Sequence, residues 1–224
     1  MSDGERITIE GPGLLLLSGG FDSPVAGHLM QTVQHMDVAA VHFSLEPVTD
    51  DASVRKAAKL AKHLGLQRLY VVRSGEAFKV LVKRCHHRLY FVLSKRLMMR
   101  VASELAKREG YQFLITGESL GQVSSQTLPN MACIDKAAAV PVLRPLIGFD
   151  KQEIIDRAKA IGTYEISVGP ELCDVLGPEH PATAARLEDV LAEETRVDIP
   201  ALVASVLATL AVVDIAAKPV EVAG

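Results

Sequence analysis

The stretch that decides the fold is LLLLSGGFDSP at residues 14–24. Four consecutive leucines indicate a strand buried on both faces of a sheet, because a strand with one solvated face would alternate apolar and polar residues. A turn at Gly19 and Gly20 follows, and Ser23 before Pro24 is typical of a helix start with a side-chain cap. The stretch therefore predicts a strand, a tight turn and a helix.

The predicted turn has the properties of a phosphate-binding site. Glycines can adopt positive φ and have no Cβ, so a ligand can approach the backbone while successive N–H groups converge on it. The helix that follows adds unpaired N–H groups and the positive end of its dipole. The spacing matches neither Gly-x-x-x-x-Gly-Lys-Ser/Thr nor Gly-x-Gly-x-x-Gly, so neither common nucleotide-binding pattern applies.

Strand and helix patterns alternate along the first 160 residues. The predicted strands lie at 14–17, 38–43, 68–72 and 111–116, with a further segment at 140–148, and the helices lie at 51–65, 77–103 and 150–162. Asp51 and Asp150 stand where helix caps are expected. The alternation predicts an α/β fold, a doubly wound, mainly parallel sheet of about five strands with helices on both faces. Ligands of such sheets bind at the carboxyl ends of the strands.

The C-terminal residues have a different composition. Residues 182–194 and 199–217 have helical patterns, and the second is almost entirely apolar. Such a helix must pack on its own domain or on a second subunit, as in a homodimer. We therefore predict one domain at 1–180 and a C-terminal helical extension at 181–224.

The composition is that of a globular protein. The chain has 224 residues, of which 49% are apolar and 23% charged. No apolar run approaches the roughly 20 residues that span a bilayer, and the N-terminus lacks the apolar core of a signal peptide, so we expect no membrane contact and a cytoplasmic location. The net charge of −3 implies that any nucleic acid is bound locally.

One stretch offers such a local site. No Asp or Glu occurs between Ala77 and Ser103, and the basic residues there are Lys79, Lys83, Arg84, Arg88, Lys95, Arg96 and Arg100. Apolar residues at helical spacing predict an amphipathic helix with a cationic face. That face is either an ordinary solvated surface or a wall for the phosphates of a nucleotide or an RNA.

The glycine turn also carries a family resemblance. Residues 18–23, Ser-Gly-Gly-Phe-Asp-Ser, match the Ser-Gly-Gly-x-Asp-Ser signature of the PP-loop ATP pyrophosphatases. The stretches 116–128, 141–155 and 161–173 closely resemble blocks of the tRNA 4-thiouridine synthetase (tRNA sulfurtransferase) family. The resemblance covers about residues 13–195 and implies an adenine nucleotide α-hydrolase-like fold.

The resemblance implies a two-step reaction that uses ATP and Mg²⁺. In that family the carbonyl oxygen of a tRNA uridine is adenylated with release of pyrophosphate, and sulfur then displaces AMP to give 4-thiouridine. The first step depends on holding the α-phosphate in line and neutralising the leaving pyrophosphate.

Matched positions give the implied site residues. The implied pyrophosphate turn consists of Leu17, Ser18, Gly19, Gly20, Asp22 and Ser23. Asp22 is implied to hold Mg²⁺ against the phosphates, the alternative being a carboxylate favoured by the helix dipole. The other implied nucleotide contacts are His42 and Phe43 at the adenine, Gly117, Gln126, and Arg96 or Arg100 at a phosphate.

The implied sulfur chemistry falls on one of the three cysteines. Cys173 follows Tyr-Glu-Ile-Ser at the position where bacterial relatives resolve a disulfide or persulfide. Cys85 and Cys133 are expected to be structural. The three are too few and too far apart for a disulfide framework or a Cys-x-x-Cys metal site.

Three family features are missing from the sequence. The RNA-binding module and the persulfide-carrying rhodanese domain have no counterpart, and Phe-Val-Leu-Ser at 91–94 replaces the Cys-x-x-Cys of some archaeal relatives. We therefore expect tRNA to be captured with a separate RNA-binding protein, and sulfur to come from an external donor, a persulfide carrier or sulfide. Two alternatives stay open: a PP-loop ATP pyrophosphatase that activates another acceptor for small-molecule thiolation or amidation, and a non-catalytic nucleotide-binding module.

Overall fold

The computed structural model describes residues 11–169, 175–213 and 215, and a six-stranded sheet forms its centre. The strands are β1 (Gly13–Leu16), β2 (Val38–Ser44), β3 (Leu69–Arg73), β4 (Phe113–Ile115), β5 (Val142–Leu143) and β6 (Ala211–Val213). Their order is β5-β4-β1-β2-β3-β6, and only β6 runs antiparallel to its neighbour. The predicted doubly wound, mainly parallel α/β fold is confirmed.

Helices cover both faces of this sheet. They are α1 (Asp22–Thr32), α2 (Ala52–His63), α3 (Gly75–Arg84), α4 (Tyr90–Glu109), α5 (Leu128–Asp135), α6 (Lys151–Ala160), α7 (Tyr164–Ser167), α8 (Leu187–Glu194) and α9 (Ile199–Leu207). The core on one face packs α1, α2, α6 and α7, and the core on the other packs α3, α4, α5, α8 and α9. Among the helices in the described ranges, none combines the length and hydropathy that crossing a bilayer requires.

The leucine run is buried on both faces, as predicted. Leu14 and Leu16 belong to one core, and Leu15 and Leu17 belong to the other. Successive side chains of a strand point to opposite faces, so a strand that lies between two helical layers needs apolar residues at every position. Each such burial contributes about 1.5–3 kcal/mol.

The basic stretch forms two helices, and the prediction of a single helix is wrong. Cys85 adopts an extended conformation after α3, and a short 3-10 turn at His87–Leu89 precedes α4. The break contains neither glycine nor proline. Its cause is a tertiary contact, because the backbone N–H of His86 donates to the Glu193 carboxylate at 2.7 Å. The Glu193 carboxylate of α8 therefore accepts the hydrogen bond that a backbone carbonyl would accept in a continuous helix.

The C-terminal stretch is only partly helical, so the prediction of one apolar helix at 199–217 is wrong. Helix α9 ends at Leu207 and packs on α3, α4 and β3 of the same chain. The chain then returns as β6 and pairs with β3, where Tyr70 lies opposite Val212. Val212 and Val213 are β-branched and suit a strand that extends an existing sheet edge.

Two expected helix caps have different outcomes. The Asp150 carboxylate accepts the Glu153 N–H at 2.8 Å and forms a complete capping box, as expected. Asp51 makes no side-chain cap of α2. The preceding Asp50 supplies the carboxylate instead, because its Oδ1 accepts the Ala52 N–H at 3.1 Å.

The order of the strands reverses beside β1. The chain runs outward from β1 to β2 and β3, then crosses back to place β4 on the other side of β1. In open α/β sheets the carboxyl ends of the strands on either side of such a reversal diverge and leave a crevice. Residues 17–23 and 116–118 lie at this crevice.

Candidate functional site

The turn after β1 is closed by two serine side chains. The Ser18 N–H donates to Ser23 Oγ at 2.9 Å, the two hydroxyl oxygens lie 3.0 Å apart, and the Gly20 N–H donates to Ser18 Oγ at 3.2 Å. Helix α1 begins at Asp22, two residues earlier than predicted, and has no side-chain cap. The expectation that Ser23 caps the helix is therefore wrong, because its hydroxyl closes the turn instead.

The glycines of this turn matter because they lack a Cβ, and not because they adopt a left-handed backbone conformation. Neither Gly19 nor Gly20 has a positive φ, contrary to the expectation from sequence. A Cβ at Gly19 would lie 2.7 Å from Cδ of Lys56, on α2. The Lys56 stem therefore occupies the volume that a side chain at residue 19 would need.

The end of β4 packs directly against the first turn of α1. A Cβ at Gly117 would lie 2.5 Å from the Ser23 nitrogen and 2.6 Å from the Asp22 carbonyl carbon. Asp22 is half-buried at the same place. The tertiary structure thus brings together Gly117 and the glycine turn, two parts of the predicted site that are far apart in sequence.

His42 is a buried residue that contacts the backbone at the start of the glycine turn. It is 4% exposed at the end of β2, with Nδ1 2.9 Å from the Leu17 carbonyl and Nε2 3.2 Å from Ser53 Oγ. A carbonyl only accepts, so Nδ1 carries the hydrogen and Nε2 accepts from the serine. Burial lowers the pKa of His42 and keeps the ring neutral. Both ring nitrogens are engaged within the protein, and Phe43, partly buried, is the residue of the predicted adenine pair with an accessible side chain.

Arg96 and Arg100 both hold helix α8 through Glu194, and the phosphate contact that the resemblance implies for one of them stays a prediction. Arg96 is 1% exposed and donates to both carboxylate oxygens of Glu194 at 2.8 and 2.9 Å, and also to the Cys133 carbonyl. Arg100 donates to the same carboxylate at 2.7 and 2.8 Å. Burial alone would raise the pKa of Glu194, but the two guanidinium groups outweigh it and lower the pKa.

The cation that α4 brings to the crevice is Lys95. Its ammonium lies 2.7 Å from Glu118, the residue that follows Gly117, and Arg144 donates to the same carboxylate at 2.9 Å. Burial of Glu118, which is 5% exposed, would raise its pKa, but Lys95 and Arg144 outweigh it and lower the pKa. Sequence reasoning missed Glu118 and Arg144. The basic stretch indicated Lys95, but no pattern showed that its neighbour Arg96 turns inward.

Gln126 has an unused acceptor in the loop after β4. The side chain is 7% exposed, and its Oε1 has no hydrogen-bond partner within the described structure. The backbone holds the loop in place, since the Gly121 N–H donates to the Gln126 carbonyl at 2.8 Å. A buried amide oxygen without a partner is costly, so this atom is suited to a ligand donor.

Two of the three cysteines lie within the described residues, and both have the buried surroundings expected of structural cysteines. Cys85 and Cys133 are buried, and burial raises the pKa of both thiols, which favours their protonated, unreactive form. Cys173 lies outside the described residues. Ser167, at the end of α7, donates to the Gly20 carbonyl at 3.3 Å and so joins the segment before Cys173 to the glycine turn.

Within the described ranges, no three His, Cys, Asp or Glu residues form a metal-binding group.

A mainly parallel sheet with a serine-closed glycine turn at its switch point defines an α/β domain of the doubly wound class. The chain matches the family model for thiamine biosynthesis protein (ThiI) over residues 8–199. It belongs to that family.

Relatives support this membership. A probable tRNA sulfurtransferase of Nocardia farcinica is 46% identical over 211 residues, which is 91% of this chain and 51% of the relative. A probable tRNA sulfurtransferase of Thermus thermophilus is 42% identical over 205 residues, which is 89% and 50% of the two chains. The chain therefore spans about half the length of the curated relatives that it matches.

Solved structures agree on the fold. The crystal structure of a 4-thiouridine synthetase–RNA complex with bound ATP matches with a TM-score of 0.85 and 36% identity, over 90% of this chain and 54% of that one. The U34-tRNA thiolase NcsA from Methanococcus maripaludis, solved with its 4Fe-4S cluster, matches with a TM-score of 0.51 at 15% identity over 91% of this chain and 73% of that one, and shares the fold.

Proposed function

We propose that this chain is the ATP-dependent catalytic domain of a tRNA sulfurtransferase, which adenylates a uridine carbonyl in tRNA and replaces the oxygen with sulfur to give 4-thiouridine. The observation that carries the proposal is the contact between Gly117 and the glycine turn at the switch point of the sheet. The relatives and the ATP-bound neighbour named above support the same reaction. We place it in the cytoplasm.

The glycine turn would hold the phosphates of ATP. The first turn of α1 provides N–H donors and the positive end of a helix dipole. Phe43 and the unpartnered oxygen of Gln126 would contact the adenosine part. Lys95 provides a positive charge beside Gly117. Bound ATP supplies an α-phosphorus that the uridine oxygen attacks as the bond to pyrophosphate breaks.

Asp22 fits a magnesium ion held through phosphates. Mg²⁺ is commonly bound by one or two carboxylates together with substrate phosphates and water, and not by a cage of protein ligands. Asp22 lies in the first turn of α1, and the described residues form no larger acidic cluster there. The ion would neutralise charge on the leaving pyrophosphate.

The second step needs a sulfur nucleophile. A persulfide or sulfide attacks C4 of the adenylated uridine, and AMP leaves with the oxygen. With a persulfide carrier, the Cys173 thiolate attacks the carrier sulfur, which releases the thiolated uridine and leaves a disulfide that an external thiol reduces. Because the chain spans about half of its curated relatives, we assign tRNA capture to an RNA-binding module outside these 224 residues.

A second candidate keeps the adenylation and changes the acceptor. The family description names thiamine biosynthesis, which favours thiolation of a small-molecule precursor or of a carrier that feeds one. Both candidates form AMP and pyrophosphate. They differ in which acceptor makes AMP formation proceed.

The test supplies the purified chain with ATP-Mg²⁺, tRNA, sulfide and a candidate RNA-binding module. We expect AMP to form and 4-thiouridine to appear when the nucleosides are analysed by mass spectrometry. Asp22→Ala should abolish AMP formation while ATP still binds, and Asp156→Ala, at an exposed position of α6, is the matched control. Absence of AMP with every tRNA tried would count against the leading candidate, and AMP formation only with small acceptors would favour the second.

A further inference from the structure

The side chain of Lys56 lies over the glycine turn, although the family signature contains no lysine. Lys56 is in the second turn of α2, and its Cδ occupies the space in which a Cβ of Gly19 would stand, 2.7 Å away. Its ammonium donates to the Ser167 carbonyl at 2.9 Å. Two separate contacts therefore fix this side chain at the turn.

The ammonium has capacity left for a ligand. It carries three N–H donors, and the Ser167 carbonyl uses one. Within the described residues, no carboxylate lies within ion-pair distance of Lys56, whereas Lys95 is already paired with Glu118. A half-buried positive charge beside a phosphate-binding turn, without a carboxylate partner among the described residues, favours an anion at that turn.

The ammonium of Lys56 lies beside the backbone of Gly169. Gly169 has a φ of +124°, and a Cβ there would lie 3.7 Å from the Lys56 ammonium. Ser167, which holds the ammonium, also donates to the Gly20 carbonyl. The ammonium is thus positioned by the same residues that position the turn, so it needs little reorganisation to meet bound phosphate.

We propose that Lys56 binds the terminal phosphates of ATP and the pyrophosphate that leaves in the adenylation step. This inference rests on the proposed function, since it assigns a further residue to the same phosphate site. The bond between the α-phosphorus and the bridging oxygen breaks during the step, and the negative charge that develops on pyrophosphate is what Lys56 neutralises.

The test measures binding of pyrophosphate and of AMP to the full chain by calorimetry with Mg²⁺ present. Lys56→Gln removes the charge and should weaken pyrophosphate binding about tenfold, while AMP binding stays within about twofold. Lys56→Arg, which keeps the charge, should restore pyrophosphate binding to within about threefold. Lys59→Gln, at an exposed position of the same helix, is the matched control and should bind both ligands like the parent.

Four outcomes would overturn the inference. Equal losses of pyrophosphate and AMP binding in Lys56→Gln would mean that the side chain only supports the turn, and so would failure of both Lys56 variants to fold. If the parent protein binds ATP and Lys56→Gln binds pyrophosphate as the parent does, the proposed role of Lys56 is rejected and the proposed function stands. A parent protein that binds neither ATP nor pyrophosphate would reject the proposed function as well.

Discussion

Gly117 and Ser23 are in direct backbone contact, although 94 residues of sequence separate them, and a Cβ on Gly117 would lie 2.5 Å from the Ser23 nitrogen. This contact joins the carboxyl end of β4 to the turn that follows β1. It forms the floor of the crevice at the point where the strand order reverses, and it leaves no volume for any side chain at residue 117.

We predict that Gly117→Ala displaces the first turn of α1. The neighbouring atoms are backbone, so they can give way only by moving the turn, at a cost of about 1–3 kcal/mol. The free energy of ATP binding should change more than the free energy of unfolding. ATP titration measures the first quantity and urea denaturation the second. Gly148→Ala, where a Cβ meets no atom within 4 Å, is the matched control, and equal behaviour of the two variants would contradict the prediction.

Adjacent residues of α4 should give different results. Lys95→Gln removes a cation at the crevice mouth and should weaken ATP binding about tenfold, with a moderate loss of stability of about 1–3 kcal/mol because the buried Glu118 keeps Arg144 as a partner. Arg96→Gln leaves the buried Glu194 without its principal partner and should destabilise the chain by about 3–5 kcal/mol. ATP titration and thermal unfolding of both variants check this, and an Arg96→Gln protein that is stable but weak in ATP binding would support the implied phosphate contact of Arg96.

The contribution of Glu194 should depend on pH in one direction. Its pKa is lower in the folded than in the unfolded chain, so the folded chain binds fewer protons in acid. The stabilisation is therefore complete above the ordinary value of 4.5 and is lost as the pH falls through the lower, folded value.

Glu194→Gln should accordingly destabilise the chain by about 3–5 kcal/mol at pH 7 and by less near pH 3, since the loss begins only below the ordinary value of 4.5. Urea denaturation at the two pH values measures the difference. Glu188→Gln, on the exposed side of the same helix, should change stability by at most about 0.5 kcal/mol at either pH. A Glu194→Gln effect that is equal at both pH values would show that the carboxylate charge is not what holds α8.

Replacement of Cys173 should separate the two chemical steps. Cys173→Ser leaves the glycine turn intact, so AMP formation should continue, whereas thiolation from a persulfide carrier should stop because a serine cannot attack the carrier sulfur. Quantification of AMP and 4-thiouridine in parallel reactions tests this. Thiolation by Cys173→Ser at the parent rate would mean that sulfide is used directly, and Cys85→Ser is the control for loss of a thiol as such.

Local sequence predicted the parts of the site that depend on neighbours along the chain. The leucine run placed β1 between two helical layers, and the Ser-Gly-Gly-x-Asp-Ser pattern located the turn, because each depends on a period or on a few consecutive residues. The same reasoning did not predict the pairing of Arg96 with Glu194, because the two residues are 98 positions apart. It also failed for the break at Cys85, which an α8 carboxylate causes and no local residue announces.

The sequence by itself determined the alternation of strands and helices, the double burial of β1 and the position of the glycine turn, because each depends on residues that are close together along the chain. The tertiary structure alone decided which strands lie beside β1, which lysines reach the turn and which arginines turn inward. These arrangements depend on the volume and charge of residues that are distant in sequence. Gly117 packs against Ser23, and the Lys56 side chain packs against Gly19. The buried Arg96 forms an ion pair with Glu194.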